Sequence, residues 1–236
     1  GMGEGSVAER IDDLMQGANP TAATYAKENE MFVRVTARAA NEEQARQMME
    51  PLAQKIRERI GSYVYATDCE SLEELVVREL EKAGKTLATA ESCTGGLLAK
   101  RITDVSGASQ VFEMGAVTYA NRIKEKVLGV SHETLEAHGA VSEETAWEMA
   151  RGIRLAAGSD LGVGITGIAG PGGGTPEKPV GLVYIALCDG EHTWVRRMAP
   201  GSADRPRSRS WQRNAAASHA LDMVRRYLQG LGGLEG

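Results

Sequence analysis

Four stretches of this sequence carry residue types that could do chemistry together. The first, Ala90-Glu91-Ser92-Cys93-Thr94-Gly95-Gly96, lies between an apolar run and an amphipathic one. A strand leading into a helix is where α/β sheets gather ligands, because the helix start presents unpaired N–H groups and a partial positive charge. Ser92 would stand there beside an anion or oxyanion site. Cys93 is a rival nucleophile, since a thiol at a helix start loses its proton more readily. A plainer reading makes Ser92 or Thr94 a helix cap and the two glycines a packing device.

The second stretch, Gly115 to Lys124 (GAVTYANRIK), reads as a strand entering a turn and a helix. A serine hydroxyl attacks only when a base takes its proton, and a lysine whose charge is disfavoured by burial can be that base. Tyr119 and Lys124 fall near the strand's end, although Lys124 also fits a solvated helix face shared with Glu125 and Lys126. The third stretch runs from Gly162 to Pro179 and contains Thr166, Gly167, Gly170 and the run Gly172-Gly173-Gly174. Bare backbone lets N–H groups approach a phosphate or carboxylate closely. It is neither a Walker loop nor a dinucleotide fingerprint, because Lys178 lies between two prolines and the loop opens no helix. A plain connector is the alternative, uncommon at this length. In the fourth stretch, Arg205 to Arg213, Arg209 and Arg213 share a helical face and their guanidinium forks suit a phosphate; a solvated basic face fits as well. The histidines His132, His138, His192 and His219 show no metal-ligand spacing, so no metal is expected.

The elements that must position these residues alternate. A short helix over residues 7–16, a hairpin pairing Thr24-Tyr25-Ala26 with Phe32 to Arg38 across Lys27 to Glu30, a helix from Glu42 to Ile60 stopped by Gly61, and a strand from Tyr63 to Ala66 make a small α+β unit. Ser71 and Glu74 have capping-box spacing and open a second domain. There, helices over 72–83, 94–103, 121–128, 142–157 and about 208–229 interleave with strands Thr86 to Ala90, Val111 to Tyr119, Leu161 to Ile165, Val180 to Leu187 and His192 to Arg197. Such interleaving indicates a layered α/β/α domain, and the hairpin turn Cys188-Asp189-Gly190-Glu191 makes its sheet mixed. The expected domains are therefore 1–68, with Gly1 ahead of Met2 read as a tag remnant, 69–230, and a frayed glycine-rich tail over 231–236.

Composition narrows the partners. The 236 residues are 42% hydrophobic and 25% charged, as in globular proteins, and the 28 glycines are clustered rather than spread. A net charge of −5 leaves no general nucleic-acid footprint. No apolar run approaches the roughly 18 residues a membrane span needs and no signal pattern opens the chain, so a soluble, cytoplasmic protein with no membrane partner is expected. Cys69, Cys93 and Cys188 have no CxxC spacing and read as reduced thiols.

Taken together, AESCTGG, GAVTYANRIK with LGV shortly after, and TGIAGPGGG followed by KPVGLVYIAL resemble, in that order, the C-terminal domain of the CinA (competence/damage-inducible) family, which includes nicotinamide-nucleotide amidases. The resemblance covers about residues 70–228. Residues 2–67, including NPTAATYAK, are similar to the small KH-like region preceding that domain in full-length members. The family's large molybdopterin-binding-like domain, associated with ADP-ribose pyrophosphatase activity, is not in this sequence, so that activity is expected to be absent.

The resemblance implies hydrolysis of nicotinamide mononucleotide to nicotinic acid mononucleotide and ammonia, without a cofactor, by a homo-oligomer, a dimer. It makes Ser92 the catalytic serine, Lys124 its base and Tyr119 an active-site tyrosine. Glu91 and Thr166 fall on active-site positions, and Thr94, Gly95, Gly96, Gly167 and Gly170 join them on the substrate side, with N–H groups near Thr94, Gly95 and Gly96 holding the oxyanion. Arg209 and Arg213 best match a pair of arginines that bind substrate, with Ser208 where the family has an acidic residue or Asn and Arg205 as a competing match. Two other classes stand beside the amidase: a catalytically silent pyridine-nucleotide-binding or regulatory module, and a nucleic-acid binder. The last is disfavoured because KH domains grip the backbone with a GXXG loop, and Gly17 and Gly61 are the only glycines between residues 7 and 67.

Overall fold

The computed structural model describes residues 2–27, 30–67, 71–199 and 207–235, and the chain divides into two units, Gly1–Asp68 and Cys69–Gly236. In the first, helix α1 (Glu4–Met15), strands β1 (Thr21–Lys27) and β2 (Glu30–Thr36) and helix α2 (Glu42–Ile60) each contribute one apolar face. Val7, Ile11, Ala22, Ile56 and Ile60 close the core, with Val33 and Val35 packed against it. The opposite face of the antiparallel hairpin carries Tyr25 stacked on Phe32 at 5.1 Å between ring centroids, with the Arg34 guanidinium over Tyr25. The strand expected over Tyr63 to Ala66 does not form. Gly61–Tyr63 is one 3₁₀ turn that the Val64 amide closes onto the Gly61 carbonyl, and Val64 packs onto the core without a strand neighbour. The expected hairpin turn falls partly on residues 28 and 29, outside the described residues.

In the second unit the strands β3 (Leu87–Glu91), β4 (Phe112–Val117), β5 (Leu161–Gly167), β6 (Val183–Cys188) and β7 (Thr193–Met198) form one sheet in the order β4-β3-β5-β6-β7. The first three are parallel and the last two antiparallel, a mixed sheet. Helix α3 (Leu72–Ala83) opens on the Ser71 and Glu74 capping box. Helices α4 (Leu97–Thr103) and α5 (Asn121–Leu128) follow β3 and β4, and α7 (Glu143–Ala157) lies on β5. Its approach is close: a Cβ on Gly162 would fall 2.2 Å from the Ala150 carbonyl oxygen and one on Gly164 2.6 Å from that of Ala146. On this side of the sheet Ala88 and Ala90 pack with Leu128, Met149 and Ile153, while α8 (Arg209–Leu228) packs with α3 and α4. The sheet is thus the middle of three layers.

Three differences from the expected elements have physical causes. Helix α6 (His132–His138) was not anticipated; its seven residues are held by the Ser131 cap and by Glu148 of α7, which accepts from the Ser131 amide and the Thr134 hydroxyl. Helix α4 starts at Leu97 rather than 94, because Gly95 and Gly96 take positive φ values of 60° and 91° in a separate turn. In the tail past residue 230, expected to lack contacts, the Gly232 and Gly233 carbonyls accept from Arg226 and Arg196.

Candidate active site

Register brings the motifs together before any side chain is considered. Glu91 at the end of β3 lies opposite Val117 of β4 on one side and Ile165 of β5 on the other, so three stretches distant in sequence leave the sheet at neighbouring carboxyl ends. The ladders continue one residue further, with the Ser92 amide donating to the Ile165 carbonyl and the Thr118 amide to that of Glu91, both at 2.9 Å.

Lys124 is 1% exposed and its Nζ has three neighbours: the Thr118 carbonyl at 2.9 Å, the Tyr119 carbonyl at 3.2 Å and Ser92 Oγ at 3.3 Å. Burial lowers its pKa from the ordinary lysine value, against a smaller opposing effect of Cys93. As an ammonium it has a hydrogen for each of these three oxygens; once it gives up a proton, two hydrogens serve the carbonyls and the lone pair can accept from the serine hydroxyl. Cys93, the rival nucleophile, is buried; burial pushes its thiol up to about 11, so it is protonated near neutrality and a poor nucleophile.

Glu91 is buried and its carboxylate accepts the amides of Gly96 at 3.0 Å, Leu98 at 3.1 Å and Ala99 at 2.8 Å. It therefore caps α4 from inside, the role that the plainer reading gives to Ser92 or Thr94. Since the Gly95 amide bonds the Ser92 carbonyl at 3.1 Å, neither the Gly95 nor the Gly96 N–H is open to an oxyanion. The amides of Cys93 and Thr94 face the Cys93 sulfur and find no oxygen acceptor among the described residues.

The glycine-rich stretch and α8 meet the same site. Arg209 donates to the Gly170 carbonyl at 2.8 Å and to the Tyr119 phenol oxygen at 3.3 Å, and Tyr119 is 60% exposed at the rim. Arg213 donates to the Thr94 carbonyl. Ser208 caps α8 by accepting the Trp211 amide. Thr166 is buried and donates to the Ala140 carbonyl, tying β5 to the turn before α7, and a Cβ on Gly167 would fall 2.6 Å from Val183. Arg205 lies outside the described residues. Two residues that sequence reasoning missed also take part: Thr118, whose carbonyl receives Lys124, and Lys178, which donates to the His138 carbonyl and fastens the glycine-rich loop.

Comparison with known proteins matches this architecture. The family model of the CinA C-terminal domain covers residues 69–228, and that of the damage-inducible protein CinA KH domain covers residues 1–66. The chain belongs to the CinA family. A competence-damage inducible protein, so named, of Caldanaerobacter subterraneus subsp. tengcongensis is 55% identical over 231 residues, which are 98% of this chain and 54% of that protein. A CinA-like protein of Desulfovibrio desulfuricans is 54% identical over 231 residues, with the same shares covered. This CinA chain thus spans about half the length of the curated relatives it matches. The crystal structure of the competence/damage inducible protein CihA from Agrobacterium tumefaciens is 39% identical, with a TM-score of 0.63 over 70% of this chain and 99% of that one. Among the described residues of the CinA chain no helix is long and apolar enough to cross a membrane, and no group of three or more His, Cys, Asp or Glu residues could hold a metal ion.

Proposed function

We propose that the C-terminal unit is an amidohydrolase that converts nicotinamide mononucleotide to nicotinic acid mononucleotide and ammonia. The observation that carries the reaction class is the buried Lys124 amine, 3.3 Å from the Ser92 hydroxyl with two carbonyls for its own hydrogens. The substrate class rests on the resemblance of AESCTGG, GAVTYANRIK and TGIAGPGGG to the amidases of the CinA family.

Ser92 Oγ adds to the carboxamide carbon as its proton passes to Lys124. The C–N bond then breaks, Lys124 returns the proton to the departing nitrogen, and ammonia leaves an acyl-serine ester. Water attacks the ester and gives its proton to Lys124, which restores the Ser92 hydroxyl as the carboxylate product departs. Arg209, beside Tyr119 and Gly170, is assigned the substrate's phosphate.

Ammonia release by the wild type and by Ser92→Ala tests this directly, with an expected loss on the order of 10³-fold or more. Near wild-type release by Ser92→Ala, together with loss on Cys93→Ser, would move the nucleophile to the thiol. Nucleotide binding without any release by the wild type would make the unit a binding module.

A further inference from the structure

The peptide joining Thr94 to Gly95 is held at both ends. Its carbonyl accepts Arg213 Nε at 3.0 Å and Nη2 at 2.6 Å, and its N–H donates to the Ser92 carbonyl at 3.1 Å. The next amide, Gly96, goes to the Glu91 carboxylate, and the Ser92 amide goes to Ile165. The turn that carries the nucleophile therefore contains two consecutive glycines at positive φ, a conformation with much backbone freedom to lose, and restraints placed around it. A guanidinium offers adjacent donors in a rigid plane, so two of them on one carbonyl fix the orientation of the peptide as a point-like ammonium does not. Those two donors are aimed at backbone.

We infer that Arg213 is a positioning residue for the nucleophile: from α8 it locks the Thr94-Gly95 peptide, keeping the Ser92 hydroxyl within reach of the Lys124 amine, and it does not bind the substrate's phosphate. The inference deepens the amidase reading and rests on it. Arg209 and Arg213, one turn apart on the same helix, thereby have different work.

The test compares Arg213→Gln and Arg213→Lys with the wild type on nicotinamide mononucleotide and on its phosphate-free nucleoside. Arg213→Gln is expected to lower kcat on the order of 10²-fold on both substrates with KM unchanged, since a misplacement of about 1 Å is enough for such a loss. Arg213→Lys, which keeps a charged donor group on a long side chain without the rigid fork, is expected to recover part of it. A loss carried by KM and confined to the phosphate-bearing substrate would overturn the inference. Hydrogen exchange at the Gly95 and Gly96 amides reads the lock without activity: it should quicken in Arg213→Gln while exchange in α7 stays as it was, and an unchanged rate at the two glycines would overturn it. Should the wild type release ammonia from neither substrate, the amidase reading falls and the exchange measurement decides the lock. If Arg213→Gln does not fold, Arg213→Lys carries both measurements.

Discussion

Two regions of the C-terminal unit bury cations, and they treat them oppositely. At Asp222, guanidiniums from Arg196, Arg225 and Arg226 converge on one carboxylate at 3.2, 2.7 and 3.0 Å. Burial pushes the Asp222 carboxyl up, but Arg225, then Arg226 and Arg196, outweigh it and hold it below the usual carboxylate range. At Lys124 the amine meets two carbonyls and a hydroxyl in place of a carboxylate, and burial lowers its pKa. A guanidinium keeps its charge in either setting, and three of them on one carboxylate hold structure. A buried amine with neutral acceptors alone can give up its proton and so can take another.

The sharpest way to break that contrast is to remove each charge in turn. Lys124→Met is expected to reduce ammonia release on the order of 10³-fold or more, while thermal unfolding changes little, because no longer burying an amine offsets the donors lost to the Thr118 and Tyr119 carbonyls. A variant that loses stability but keeps its rate would assign Lys124 to structure. Asp222→Asn should do the reverse. Taking the carboxylate from the three guanidiniums is expected to cost about 3 kcal/mol in urea unfolding, with kcat per folded molecule unaltered; an unmoved midpoint would show that the cluster needs no counter-ion.

Titration sharpens the contrast further. The base form of Lys124 fills in as pH rises through its folded pKa, which burial places below 10.5, so kcat/KM should climb and level off before pH 10.5. Between the folded pKa and 10.5 the unfolded chain binds the extra proton, so the contribution of Lys124 to stability also rises with pH across that window. A rate that declines across this range would contradict the assignment of Lys124 as base. The smallest effect belongs to His219, beside the Asp222 cluster. Burial above all, with Arg196 among the smaller causes, pushes its pKa down from 6.5 to about 4. The folded imidazole stays neutral while the unfolded one takes a proton, so stability present above pH 6.5 is lost as pH falls from 6.5 towards 4. Urea midpoints measured at pH 7 and pH 5 should show this drop in the wild type and a shallower one in His219→Gln.

Much of the fold was legible because local signals agreed with one another. Period-2 and helical spacing outlined every strand of the large sheet to within a few residues, and the turn at Cys188 to Glu191 showed that part of it runs antiparallel; Asp189 closes that turn by accepting the Glu191 and His192 amides. Tyr63 to Ala66 misled because a short run of strand-favouring residues says nothing about whether a partner strand is near. Helix α6 escaped notice because seven residues give too little periodicity, and its start is held by Glu148 from another helix.

The sequence by itself determined which side chains could react, namely a serine after one strand, a lysine after the next and a glycine-rich loop after a third, and that these strands lie in an α/β sheet. Only the tertiary structure decided what each would touch. The partners that set their chemistry are backbone groups: the Thr118 and Tyr119 carbonyls for Lys124, the Gly96, Leu98 and Ala99 amides for Glu91, the Thr94 carbonyl for Arg213 and the Gly170 carbonyl for Arg209. Every residue has a carbonyl and nearly every one an amide, so no residue type marks which of them will be needed; that follows from strand register and helix packing alone.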